Sequence, residues 1–177
     1  MQVILISGKA QHGKDSTANI LKRRLEEQGK KVLITHYGDL VKYVCKTFFK
    51  WDENKDEYGR TLLQHVGTDK IRKKFPDFWV EFIIDILTVF PNEWDYVLIP
   101  DCRFVNEIEL FKDYGFNYTT IRVVRFNFKS PLTTEQQQHI SEIALDNYNF
   151  DYYIASESGL DKLETEVMKF MEEMVDE

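Results

Sequence analysis

An α/β fold is predicted: a doubly wound sheet of about five parallel strands with helices on both faces. Three observations predict it. Short apolar runs alternate with longer segments of helical period along the chain. The runs are continuously apolar rather than alternating, as strands covered on both faces are. A glycine-rich turn joins the first run to the first helix.

Taken in order, Val3 to Ile6 reads as a buried strand and Lys14 to about Glu27 as the helix after it. Gly29 stands in the left-handed cap position, and Val32 to Thr35 is a second strand. Leu40 to Phe49, Thr61 to Lys74 and Phe78 to Phe90 read as helices, the last two split at Pro76. Tyr96 to Ile99 is a third strand, with Pro100 and Asp101 at its carboxyl end. Phe104 to Tyr114 is helical and Gly115 stops it. Ile121 to Val124 is a fourth strand, Thr134 to Leu145 a helix capped by Thr133 or Thr134, and Tyr152 to Ala155 a short fifth strand. Leu160 to Met174 closes the sequence as an amphipathic helix. Its stripe of Leu163, Val167, Phe170, Met171 and Met174 is expected in the core ahead of a homodimer face.

The 177 residues suit one domain, 1–177, able to bury a core. With 13 Phe, 9 Tyr and 3 Trp the chain carries the aromatic surface that disordered segments lack. A formal net charge of -7 argues against general nucleic-acid binding but leaves room for a local basic site holding one anionic small molecule. Cys45 and Cys102 form no disulfide framework and no zinc spacing, which suits a reducing cytoplasm. The first residues read as a strand rather than a signal core. No run approaches the roughly 20 apolar residues of a membrane span, so no membrane partner is expected.

Ligands of such sheets bind beyond the carboxyl ends of the strands, which directs attention to the residues after Ile6, Thr35, Ile99 and Val124. After Ile6 comes Gly8-Lys9-Ala10-Gln11-His12-Gly13-Lys14-Asp15-Ser16, a match to GxxxxGK with Asp15 where Ser or Thr normally follows. Glycines at those places let successive N–H groups point inward, and the helix N-terminus adds partial positive charge for a phosphate. Lys14 then reaches the outer phosphates of ATP. Ser16 and Thr17 supply hydroxyls. Asp15 beside a triphosphate needs compensation, and a magnesium ion is the expected partner. This is a P-loop signature, and the fold predicted is of the P-loop NTPase type.

Asp101 ends the strand expected beside the first one. It suits a magnesium held through water, with a helix N-cap as the plainer reading. Glu107 reads equally as a cleft residue or as a dipole-favoured first-turn acid. Arg103 follows Asp101 within a turn, and Lys42, Arg60, Arg72 and Arg125 are cations placed to converge on the cleft, as phosphoryl transfer requires. His65 and His139 read as structural.

GKAQHGKDS, Lys42, GRTLLQHVGTDKIR, DCRFVNEIE and HISEIALDNYNFDYYI, in that order, resemble the deoxynucleoside monophosphate kinases of phages and their bacterial relatives. The GKD loop also looks like that of phosphomevalonate kinase. The resemblance implies a nucleoside monophosphate kinase-like fold and conversion of a (deoxy)nucleoside monophosphate to its diphosphate with ATP and Mg2+. It implies an acceptor-binding helical region at about 38–92 and a short lid at about 126–140. Gly8, Lys9, Gln11, His12, Gly13, Lys14, Asp15, Ser16 and Thr17 would contact ATP; Lys14, Asp15 and Arg125 would serve catalysis; Asp15 and Asp101 would serve the metal. Lys42, Arg60, Gln64, Thr68, Asp69, Arg72, Arg103 and Glu107 would take the acceptor. Such proteins work in the cytoplasm of a bacterium or of a phage-infected host.

Two departures stand out: the lid has only Lys129 as a cation, and Gln11 and His12 replace basic or small residues, which predicts weaker triphosphate affinity. The alternatives are a kinase for another phosphorylated metabolite (phosphomevalonate- or dephospho-coenzyme A-like) and a non-catalytic ATP-binding protein. Tyr37, Tyr43 and Phe48 are the candidates for stacking an acceptor base.

Overall fold

A computed structural model describes residues 1–157 and 159–175. Five parallel strands, β1 (Gln2–Ser7), β2 (Val32–Ile34), β3 (Tyr96–Cys102), β4 (Asn117–Arg125) and β5 (Tyr152–Ser156), form one sheet in the order β2-β3-β1-β4-β5. The doubly wound parallel sheet is the predicted one. Val3, Leu5, Val97 and Ile99 point to one face, under α4 (Phe78–Val89) and α5 (Asn106–Asp113). Ile4, Ile6, Leu98, Ile121 and Val123 point to the other, under α1 (Lys14–Glu27) and α8 (Leu160–Val175). Both faces being covered is why the strands read as unbroken apolar runs. Leu163, Val167, Phe170 and Met171 lie in that second core, so the stripe of α8 is an interior one.

The remaining helices are α2 (Gly38–Phe49), α3 (Glu57–Gln64), α6 (Thr134–Gln138) and α7 (Ile140–Ile143). The region of α2 and α3 has its own small core of Cys45, Trp51 and Val66. Among the described residues no helix is long and apolar enough to cross a membrane.

Several boundaries differ from the sequence reading, each for a local reason. The helix expected from Thr61 starts earlier because Asp56 caps α3, its carboxylate accepting from the Gly59 amide at 2.7 Å. From His65 to Arg72 it widens into a π-helix. The Trp79 indole donates to the Gly67 carbonyl there at 3.0 Å, a partner outside the helix. The third strand continues through Pro100 and Asp101, its register with β1 shifting between Leu5 and Ser7. The fourth begins at Asn117, four residues before its apolar run. The helix expected over 134–145 breaks at His139, whose ψ of 141° is extended. The His139 ring then accepts from Ser141 and opens α7.

Candidate functional site

The phosphate loop leaves β1 through Gly8, where a Cβ would sit 2.5 Å from the Val123 carbonyl oxygen of the neighbouring strand. No side chain fits. Gly13, with φ of 99°, turns the chain into α1, and the Thr17 amide donates back to its carbonyl at 2.8 Å. The Lys14 ammonium donates to the carbonyls of Gly8 and Lys9, both at 2.9 Å. Burial, reinforced by the charge of Arg103, lowers its pKa to about 8. Ser16 lies half-buried in the first turn of α1.

His12 faces the outer side of the loop, and Gln11 borders the cavity described below. Gln11 has a positive φ of 60°. The His12 Nδ1 accepts from the Arg125 amide at 3.2 Å, and the ring meets Phe128 edge-on at 5.8 Å. Burial, with the charges of Lys14 and Arg122, lowers the His12 pKa, so the ring is a neutral acceptor. The Arg125 guanidinium stacks on Phe128 at 4.4 Å, on this outer side rather than in the cavity described below.

On the inner side Asp15 is exposed and its Oδ1 lies 3.1 Å from His36 Nε2, while His36 Nδ1 is 3.4 Å from Asp39. The hydrogen bond to His36 lowers the Asp15 pKa, and the same bond raises that of His36. His36 is thus a hydrogen-bond partner within the chain for the acid for which the sequence suggested magnesium. Asp101 accepts from the amides of Tyr37 at 3.0 Å and Gly38 at 2.8 Å at the start of the remote helix α2; it does not cap the helix that follows its own strand, whose N-cap is Val105. Each Asp101 oxygen keeps acceptor capacity beyond that bond, and Asp15 and Asp101 line the same cavity.

That cavity, of about 390 Å³, runs from Lys14 and Asp15 to the helical region and is walled by Lys42, Arg60, Gln64, Thr68, Arg72, Arg103 and Glu107. Asp69 lies outside it, 3.3 Å from His139 and 3.7 Å from His65. Glu107 is a clamp at the cavity wall: its carboxylate accepts from the amides of Arg103 at 2.6 Å and Phe104 at 3.0 Å and pairs with Arg72. Arg72 in turn lies over the Phe104 ring at 4.0 Å. Burial raises the Glu107 pKa against the pull of Arg72. Of the expected stacking rings, Tyr43 and Phe48 are exposed outside the cavity, and Tyr37 is buried with its hydroxyl donating to the Glu107 carbonyl. Phe104 and Trp79 are the aromatics in the wall with Tyr37.

Lys9 turns away from the cavity, donating to Asp146 and to the Glu142 carbonyl, both at 2.6 Å. Thr17 is fully buried beneath the loop, and its hydroxyl has no hydrogen-bond partner among the described residues. His36, Glu142, Phe104 and Trp79 were not singled out by sequence. For His36 a signal existed, since it directly follows Thr35 at a strand end; Glu142 lay unmarked within HISEIALD.

Among the described residues no three His, Cys, Asp or Glu side chains gather to hold a metal by themselves. A magnesium ion keeps several waters and needs only one or two carboxylates together with substrate phosphates. Asp15 and Asp101 line the same cavity and are the carboxylates available there for such an ion.

Comparison with known proteins decides the family. A deoxynucleotide monophosphate kinase model matches residues 26–167. The chain belongs to that family. This family member is 35% identical over 106 residues to the deoxynucleotide monophosphate kinase of Enterobacteria phage T4, covering 59% of the chain and 41% of the relative. It is 29% identical over 114 residues to that of Escherichia phage RB69, covering 63% and 44%. The matches thus span about two-fifths of the relatives' length.

Among solved structures, the APS kinase of Mycobacterium tuberculosis in complex with AMPPNP and APS superposes with a TM-score of 0.56 at 15% identity, over 97% of both chains. The shikimate kinase of Aquifex aeolicus does so with 0.56 at 14% identity, over 97% of this chain and 96% of that one. The fold is that of the P-loop kinases. The family match begins beyond the phosphate loop, so the loop stands on its own spacing and geometry.

Proposed function

We propose that the chain transfers the terminal phosphoryl group of ATP to the phosphate of a (deoxy)nucleoside monophosphate, giving the diphosphate. The observation that carries this reading is the continuity of one cavity from the Lys14 ammonium to a distal wall bearing Arg60, Gln64, Thr68 and Arg72. A donor phosphate at the loop and an anionic acceptor at the wall would then face each other across Arg103. Membership of the family supports the same chemistry.

In this reading the loop amides from Gly13 to Ser16 and Lys14 take the donor's phosphates, and burial of Lys14 strengthens its charge interaction with them. Asp15 and Asp101 hold Mg2+, which supplies charge neutralisation of the phosphates. Arg103 and Arg72 face the acceptor phosphate; Lys42, Arg60, Gln64 and Thr68 fix the remainder of the acceptor. Glu107 acts through Arg72 and Arg103 rather than on the substrate. Lys9, Thr17, Asp69 and Arg125 act from outside the cavity: Lys9 anchors the loop, and Arg125 with His12 ties the loop to the lid. The working place is the cytoplasm, where ATP and monophosphates are available. For a homodimer, the face to test is α4 rather than α8, since Phe78, Phe82, Ile86 and Phe90 are exposed along it at four-residue intervals.

The test is an ADP-release assay with ATP and Mg2+ across deoxy- and ribonucleoside monophosphates, with phosphomevalonate and dephospho-coenzyme A as further arms. Turnover with a monophosphate is the expected result. Turnover only with the other two acceptors moves the assignment to them, and tight ATP binding without transfer to any acceptor makes the chain a binding protein.

A further inference from the structure

Glu142 sits on the four-residue helix α7, after the lid, yet its carboxylate reaches two elements of the site. One oxygen accepts from Nη1 of Arg103, and the other accepts from the Ala10 amide of the phosphate loop at 3.2 Å. Its carbonyl accepts from Lys9 at 2.6 Å. The residue is 9% exposed. Burying an acid in a cavity shaped for anions is costly and opposes ligand binding unless the charge has a partner. Here the partner is Arg103, which lines the cavity close enough for its charge to act on Lys14. Two cations repel at that range; Arg103 is held there by the Glu142 carboxylate and the Ser141 carbonyl at 3.1 Å, with the charges of Asp101 and Glu107 adding attraction.

We propose that Glu142 is a positioning residue for phosphoryl transfer, fixing the Arg103 guanidinium at the Ala10 edge of the phosphate loop, where the migrating group carries its charge. The inference rests on the kinase reading above. A preorganised guanidinium acts because it is already in place when negative charge spreads over the transferring oxygens. A loose one near the same cavity attracts anions equally well but is not aligned with the reaction. Alignment and attraction are therefore separable.

The experiment is Glu142→Gln, which keeps the size and one acceptor oxygen but removes the charge. Turnover falls by roughly 100-fold, while the dissociation constant of AMPPNP, measured by calorimetry, stays the same or tightens, because the cavity has lost a negative charge. Glu142→Gln combined with Arg103→Lys is within about 3-fold of Arg103→Lys alone, as expected for two residues acting as one unit. Unchanged turnover overturns the proposal, and so does a parallel loss of turnover, affinity and melting temperature, which marks a structural brace. If the wild-type chain transfers to no acceptor, the kinase reading fails separately. The Arg103 guanidinium resonance then decides: a response to AMPPNP lost in Glu142→Gln supports positioning, and an equal response in both overturns it.

Discussion

An acid–histidine pair and an acid–arginine pair flank the phosphate loop. On the inner side Asp15 meets His36 at 3.1 Å with the Asp15 side chain 74% exposed; on the other, Glu142 meets Arg103 with the Glu142 side chain 5% exposed. The bonding is alike and the surroundings are not. In water's high dielectric an ion pair contributes little, whereas a buried acid left without its cation is strongly destabilising. The exposed pair is therefore free to exchange partners, as the proposed metal and triphosphate would require. The buried pair is suited to holding one geometry.

Lys14 lies between the pairs, and its removal is the largest perturbation expected. Lys14→Ala lowers turnover by at least ~1,000-fold while circular dichroism stays native, because the ammonium serves loop carbonyls rather than the core. Retained turnover would break the reading of the whole loop.

Next comes a direct contrast in stability. Glu142→Ala costs about 1–2 kcal/mol in urea denaturation, since the Ala10 amide loses its acceptor while the Arg103 side chain, 34% exposed, keeps water; His36→Ala costs under about 1 kcal/mol. Equal costs would remove the distinction between the pairs.

A third prediction concerns pH. The folded Lys14 pKa of about 8 lies below the ordinary 10.5, so the lysine is charged below pH 8 and neutral above it. Triphosphate binding needs the charged form. Affinity for AMPPNP is thus flat below pH 8 and weakens above it, by up to about tenfold per unit, and Lys14→Arg abolishes the bend.

The smallest effect belongs to the exposed pair. The raised His36 pKa contributes stability that is present below the ordinary 6.5 and lost as pH rises through the folded value. The lowered Asp15 pKa contributes stability present above 3.8 and lost as pH falls through its folded value. Their joint contribution is largest from about pH 4 to pH 6.5 and stays below about 1 kcal/mol. Melting temperatures of wild type and His36→Gln across pH 5 to 8 measure it.

The sequence by itself determined the sheet and the phosphate loop. Runs such as Val3–Ile6 are apolar because neighbouring layers cover both faces, and the GxxxxGK spacing sets the loop's turns through local backbone freedom; both are short-range properties written in consecutive residues. Lys42, Arg60 and Arg72 were expected at the cleft from their places in the chain, whereas Gln64 and Thr68 came only from the resemblance to the kinase family. Only the tertiary structure decided what each charge meets. Glu142 and Arg103 are 39 positions apart, and Asp15 and His36 are 21 apart on different elements. Lys9, Asp69 and Arg125 are drawn from the cavity by partners on remote segments, and no spacing rule records such a choice. Pairing energies depend on distance and burial in three dimensions, and neither is a function of separation along the chain.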